Sequence, residues 1–96
     1  MNTKQPAIYI LTNKRNGTLY VGVTSNLAQR VFQHKNGLIN GFRKYYDCNI
    51  LVYYEYFEKM TDAITREKQI KSRVREYKIT LIELKNFEWK DLSKYE

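Results

Sequence analysis

Among the polar side chains of this 96-residue chain, Tyr9, Tyr20, Arg30, His34, Glu67 and Asn86 are of types that acid–base chemistry at a phosphate could use. Cleaving a phosphodiester requires a positioned water, neutralisation of the charge growing on the phosphate oxygens and stabilisation of the departing alkoxide. A free phenol titrates near about 10, so Tyr9 or Tyr20 accepts a proton at neutral pH only if a neighbour or a metal-bound water activates it. A guanidinium such as that of Arg30 gives a phosphate paired, charge-assisted hydrogen bonds that a lysine cannot copy. His34 is the only histidine, so any imidazole proton shuttle must use it. Magnesium keeps several waters and commonly binds through one or two carboxylates plus phosphate oxygens, so a single helical Glu such as Glu67 can be enough.

Each residue also has a purely structural reading. Glu67 could pair with Arg30 or another base for the sake of the fold, and Arg30 alone would be a solvated helix charge. The tyrosines could be half-buried strand packing, as Tyr53 and Tyr56 are expected to be. His34 could make a structural hydrogen bond, and Asn86 could close a helix. Other chemistries lack support, because the chain has no CxxC pair, HExxH, P-loop or GxSxG motif. Cys48 has no partner within the chain and reads as core filler, in keeping with a reducing cytoplasm.

The elements that would carry these groups follow from pattern. Ala7 to Thr12 and Thr18 to Thr24 are rich in β-formers and flank Asn13-Lys14-Arg15-Asn16-Gly17, whose Asn-Gly pair supplies positive φ angles for a hairpin. Period-two alternation puts Tyr9 and Leu11 on one face, and Tyr20 and Gly22 together on one face of the partner strand, so the two phenols can converge. Thr24-Ser25-Asn26 offers N-caps for a first helix, with Leu27, Ala28, Val31, Phe32 and the stem of Lys35 inward, until Asn36-Gly37 stops it. Arg30 and His34 lie one turn apart on that helix.

Leu38 to Asn49, with Gly41, Arg43, Lys44, Tyr45 and Tyr46, reads as a basic loop. Ile50 to Phe57 reads as a central strand, with Leu51, Tyr53 and Phe57 opposite Val52, Tyr54 and Tyr56. Thr61 to Glu76 is expected as a second helix, capped by Thr61 or Asp62, with Ala63, Glu67, Ile70, Val74 and Tyr77 inward and Arg66, Lys68, Lys71, Arg73 and Arg75 on the solvent side and flanks. Tyr77 to Leu84 continues as a further helix with Leu81 and Leu84, with or without an intervening bend, and a tail folds back through Phe87, Trp89 and Leu92. The expected architecture is a single α/β (α+β) domain over 1–96, its core about 6–92, built as a three-stranded antiparallel sheet flanked by helices.

Net charge is +7, and from Met1 to Tyr46 there is no Asp or Glu. That stretch carries Lys4, Lys14, Arg15, Arg30, Lys35, Arg43 and Lys44, so the positive field belongs to the half that holds the tyrosines. Such a field suits a polyanion, since each neutralised phosphate releases condensed counterions. No apolar run approaches the roughly 18 to 20 residues that span a bilayer, and no basic amphipathic anchor is evident. DNA is the expected partner, with RNA the variant, and no membrane is implied.

The motifs Ala7-Ile8-Tyr9 and Tyr20-Val21-Gly22, followed in order by Arg30, His34, Glu67 and Asn86, resemble the GIY-YIG nuclease family, with Ala for the first Gly and Val for the central Ile. The resemblance spans Pro6 to about Leu92, is strongest to small stand-alone bacterial GIY-YIG proteins, and extends to the N-terminal nuclease domain of the C component of excinuclease ABC. It implies a GIY-YIG endonuclease-like fold and a cytoplasmic, magnesium- or manganese-dependent endonuclease acting on DNA, including branched or damaged DNA in repair or recombination. It assigns the metal to Glu67, the scissile phosphate to Arg30, water positioning and base-like work to Tyr9 and Tyr20, and hydrogen-bond support to Asn86. The competing reading is a non-catalytic DNA- or RNA-binding module whose exposed tyrosines stack on unpaired bases. A third is an adaptor for a repair protein, for which Phe87 and Trp89 are the available aromatics. Neither the substrate nor the oligomeric state follows from sequence.

The one-sided charge makes a first prediction. Duplex DNA binding should weaken steeply with salt, and charge reversal at Lys14, Arg15, Arg43 and Lys44 should flatten the slope of log K against log salt. Titrations at several salt concentrations read this directly, and an unchanged slope would move the DNA surface to the second helix.

Overall fold

Ala7 to Leu11 is an unbroken apolar run in which every residue is fully buried, and such a strand needs cover on both faces and a neighbour on both edges. In the computed structural model, which describes residues 4–38 and 47–95, this run lies in the middle of the sheet. Arg43, Lys44, Tyr45, Tyr46 and most of the expected basic loop fall outside the described residues. The elements are β1 (Ala7–Thr12), β2 (Leu19–Thr24), α1 (Leu27–Lys35), β3 (Ile50–Tyr56), α2 (Met60–Lys71), α3 (Arg75–Lys85) and a 3-10 turn at Leu92–Tyr95. The sheet is antiparallel throughout, in the order β2-β1-β3, which makes the fold α+β.

That order corrects the expectation that Ile50 to Phe57 is central. It is an edge strand, and its apolar character on both faces is used because α3 packs on it and the terminal 3-10 turn covers it as well. Its alternation also breaks. Ile10 pairs with Tyr53 and Leu11 with Leu51, so Val52 is an extra residue in a β-bulge and side-chain parity flips there. Leu51 therefore joins Tyr54 on the face of Tyr9 and Leu11, while Val52, Tyr53 and Phe57 share the face of Ile8 and Ile10.

The bulge serves two separate cores. One face of the sheet holds Ile8, Ile10, Val21, Ala63, Ile70, Ile82 and Trp89 beneath α2 and α3; the other holds Ala7, Tyr9, Leu11, Leu27, Val31 and Cys48 beneath α1. α1 begins as expected, with Asn26 Oδ1 accepting from the Gln29 N–H at 3.1 Å, and ends at Asn36 and Gly37, whose φ of 63° suits glycine. Its buried face runs Leu27, Val31, His34, which leaves Phe32 exposed rather than inward. In the hairpin loop Asn16 alone takes a positive φ, 58°, while Gly17 is needed for room, since a Cβ there would collide with the Asn13 side chain.

The expected helix from Thr61 to Glu76 is two helices. α2 starts after Lys59, without a side-chain cap from Thr61 or Asp62, and ends at Ser72; Val74 is extended and leads into α3. The break resets the helical phase, so Val74 and Leu84 point outward while Ile82 takes the buried position. Arg66, expected at the solvent side or flank, is half-buried: its Nε and Nη2 each donate to Glu55 at 3.0 Å, and Nη1 reaches Tyr77 Oη at 3.3 Å, joining β3, α2 and α3. Tyr53 adds its hydroxyl to the same carboxylate.

The tail returns as expected through buried Trp89, but Phe87 is exposed. Asn86 ends α3 and is buried; its Nδ2 donates to the Val52 carbonyl at 3.1 Å and the Lys90 carbonyl at 2.8 Å, and its Oδ1 accepts the Lys90 N–H at 3.0 Å. Losing these partners strands buried backbone groups, each costing about 1–3 kcal/mol. Asn86→Ala should accordingly lower the unfolding free energy by about 2–4 kcal/mol with an unchanged denaturant slope. Chemical denaturation tests it, and a loss below about 0.5 kcal/mol would mean the clasp does not hold the tail.

Candidate functional site

Tyr9 and Gly22 face each other across the β1–β2 pair. A Cβ on Gly22 would stand 2.5 Å from both Cζ and Oη of Tyr9, so the glycine is required because the tyrosine ring lies over its Cα, not because of a turn. Two residues before it, Tyr20 brings its ring to 6.1 Å from that of Tyr9, centroid to centroid. Ala7 is fully buried in regular register with Thr24 and Tyr56, and its methyl joins the core on the Tyr9 face.

The third ring comes from α1. His34 occupies the helix's buried face, with centroids 5.9 Å from Tyr9 and 5.6 Å from Tyr20, and its Nε2 shares a long hydrogen bond of 3.4 Å with Tyr9 Oη. Burial, and then the nearby Arg30 charge, push the imidazole down to about 4, so at neutral pH it is an uncharged partner. Arg30 is half-buried one turn earlier and its charge acts on Tyr9, Tyr20 and His34. Among the described residues it forms no ion pair with a carboxylate.

The two phenols differ. Burial, with the neighbouring Tyr20, drives Tyr9 well above the ordinary phenol range. Burial raises Tyr20 too, but Lys71 opposes it, followed by the hydrogen bond from Tyr9 and the Arg30 charge. Tyr20 therefore stays above the ordinary phenol value but is displaced less far than Tyr9. Glu67, from α2 on the other face of the sheet, exerts its charge on both tyrosines, and its Oε2 is paired with Lys71 Nζ at 2.7 Å rather than with Arg30.

Lys71 is the site group that sequence pattern places on the solvent side or flank of the helix. Its ammonium is 6.0 Å from the Tyr20 ring centroid as well as against Glu67. A signal for it is present in the chain: a Glu followed four residues later by Lys is the favourable order for a helical pair.

Five of the six expected residues thus come together around the β1–β2 hairpin, and Asn86 does not touch them; its amide is spent on Val52 and Lys90. Of the expected nucleic-acid contacts, Lys14 and Arg15 are exposed on the hairpin loop, where Arg75 Nη2 holds the carbonyls of Asn16 and Gly17 at 2.7 Å and Arg15 lies 5.6 Å over Phe87. Lys35 is tethered to Asp91 and to the Asn49 carbonyl, each at 2.7 Å. Among the described residues Glu67 is the one carboxylate acting on the tyrosines, and no three His, Cys, Asp or Glu gather there as a metal cluster. That donor set fits a hydrated magnesium completed by phosphate oxygens better than a metal held by protein alone. No described helix is long and apolar enough to cross a membrane.

Residues 5–80 match the GIY-YIG catalytic domain family. The UPF0213 protein of Clostridium perfringens is 36% identical over 91% of this chain and 92% of its own length, and that of Staphylococcus saprophyticus is 36% identical over 78% and 90%. The solution NMR structure of a UPF0213 protein from Bacillus halodurans superposes with a TM-score of 0.57 at 24% identity, covering 94% of this chain and 95% of that one, which supports the fold. With a family match across most of the chain and relatives of nearly the same length, this chain belongs to the GIY-YIG family and has its nuclease-type fold.

Proposed function

We propose that this protein is an endonuclease that hydrolyses phosphodiester bonds in DNA with a divalent metal, acting on branched or damaged DNA in repair or recombination. The observation that carries the reading is Arg30: a half-buried guanidinium with no carboxylate partner among the described residues, facing two phenols and a neutral imidazole. A purely structural arginine in that position would be expected to have an acid beside it. A phosphate supplies the missing anion and accepts the fork in two places.

In this reading Tyr20 positions the attacking water and takes its proton when in the phenolate form, which Lys71, the Tyr9 hydrogen bond and Arg30 favour against burial. Tyr9 and His34 fix its position through the ring cluster, and Arg30 stabilises charge on the equatorial oxygens. Glu67 would hold the metal, which when bound supplies further charge neutralisation at the phosphate. Asn86 acts at a distance, by fastening the tail to the bulged strand.

Two substitutions test the roles. Glu67→Gln should abolish Mg²⁺-dependent cleavage while costing no more than about 0.5 kcal/mol of stability, since a partly exposed pair at i,i+4 contributes little. Cleavage of linear, nicked, flapped and four-way substrates, beside a melting curve, measures both, and a variant that cuts as fast as the parent sinks the metal assignment. Arg30→Lys should bind DNA almost as well as the parent yet cleave at least about a hundredfold more slowly, because charge survives and the paired geometry does not. Equal single-turnover rates would reduce Arg30 to a general electrostatic contact.

A further inference from the structure

Glu67 already holds a cation. Lys71 Nζ lies 2.7 Å from its Oε2, the carboxylate side chain is 12% exposed, and the lysine above it is 49% exposed. The acid is therefore screened from solvent partly by its own partner. A divalent cation approaching it meets the Lys71 ammonium first, and the Arg30 charge acts on the same pair of tyrosines.

The pair is nonetheless easy to exchange. A partly exposed i,i+4 ion pair is weak, the ammonium sits on a flexible four-carbon stem, and a phosphate oxygen is as good an anionic acceptor as a carboxylate. DNA seated against Arg30 would bring such an oxygen to the ring cluster, within the region Lys71 already occupies over Tyr20. Drawing the ammonium onto the phosphate opens Glu67 at the moment when phosphate oxygens arrive to complete a magnesium shell.

We propose that Lys71 is a cation gate: it blocks Glu67 in the free protein and moves onto the DNA phosphate, so that the divalent ion binds with DNA rather than before it. The proposal rests on Glu67 being the metal ligand of the nuclease reading. Coupling of this kind is reciprocal, so the metal tightens DNA as much as DNA tightens the metal.

The test is Mn²⁺ binding to the full chain, followed by the electron paramagnetic resonance of free Mn²⁺, alone and with a phosphorothioate duplex corrected for Mn²⁺ held by the duplex itself. Parent and Lys71→Arg should bind Mn²⁺ weakly until DNA is added. Lys71→Met, with Lys71→Gln as a second variant should Met disturb the helix, should bind it about tenfold more tightly without DNA and gain less when DNA is added. Lys71 variants that bind Mn²⁺ no more tightly than the parent in the absence of DNA overturn the gate. Should Lys71→Met gain Mn²⁺ affinity that Glu67→Gln removes, while the parent cuts no DNA, the gate stands and the nuclease reading falls.

Discussion

The site is organised by a contact that excludes a single carbon atom: the Tyr9 ring lies where a side chain on Gly22 would be. Because β1 is central and fully buried, Tyr9 has no open edge to turn toward, and its ring extends across the bare backbone of Gly22 on the α1 face. That crossing leaves the phenol beside Tyr20, which stands two residues back on the same face, and beside His34 on the inner side of α1. A methyl on Gly22 would push the ring off its neighbours and separate the three groups at once. The glycine thus works as a space for Tyr9, which is why Ala is tolerated at position 7, where the Cβ has a core to enter, and has no room at 22.

Around that ring cluster the charges are arranged asymmetrically. Arg30 and Lys71 act on Tyr20 from two different helices, while Glu67 is the one acid among the described residues whose charge reaches it. Burial alone would keep both phenols protonated far into the alkaline range, and it does so for Tyr9. Two nearby cations and a hydrogen bond from Tyr9 offset part of that at Tyr20, which still stays above the ordinary phenol value, so two identical side chains are shifted to different extents by their surroundings. An excess of positive charge at a half-open site also makes an anion its natural occupant, which agrees with the acid-free first 46 residues.

Much of this is legible in the chain. Short-period signals work where one element meets one face: the hairpin, a cap within Thr24-Ser25-Asn26, the inward Leu27 and Val31, and the shared face of Tyr20 and Gly22 need no knowledge of neighbours, although the same stripe also turns the exposed Phe32 inward. What pattern cannot show is which strand the others pair with. Ile50 to Tyr56 reads as central because both faces are apolar, yet an edge strand looks the same when a helix and the tail cover it. The bulge at Val52 escapes for a related reason, since a one-residue slip appears in register and not in composition. The break at Ser72 to Val74 carries no Gly or Pro, and extrapolating the α2 stripe through it misplaces Val74 and Leu84.

The same distinction separates the residues of the site. Tyr9, Tyr20, Arg30 and His34 sit on elements fixed by local pattern, and they meet. Glu67 reaches the tyrosines from the opposite face of the sheet because α2 packs on β1 and β2, and the lysine one turn beyond it comes along. Asn86 follows the helix break and the bulge, and its amide closes on Val52, the extra residue of that bulge. A residue with three backbone partners in a buried clasp has no donor left to spend on a phosphate, and what it fixes is the tail against β3. Tyr53 and Tyr54 lie directly across from Ile10 and Tyr9, so the bulge sits between the residue that fastens the tail and the strand that carries Tyr9.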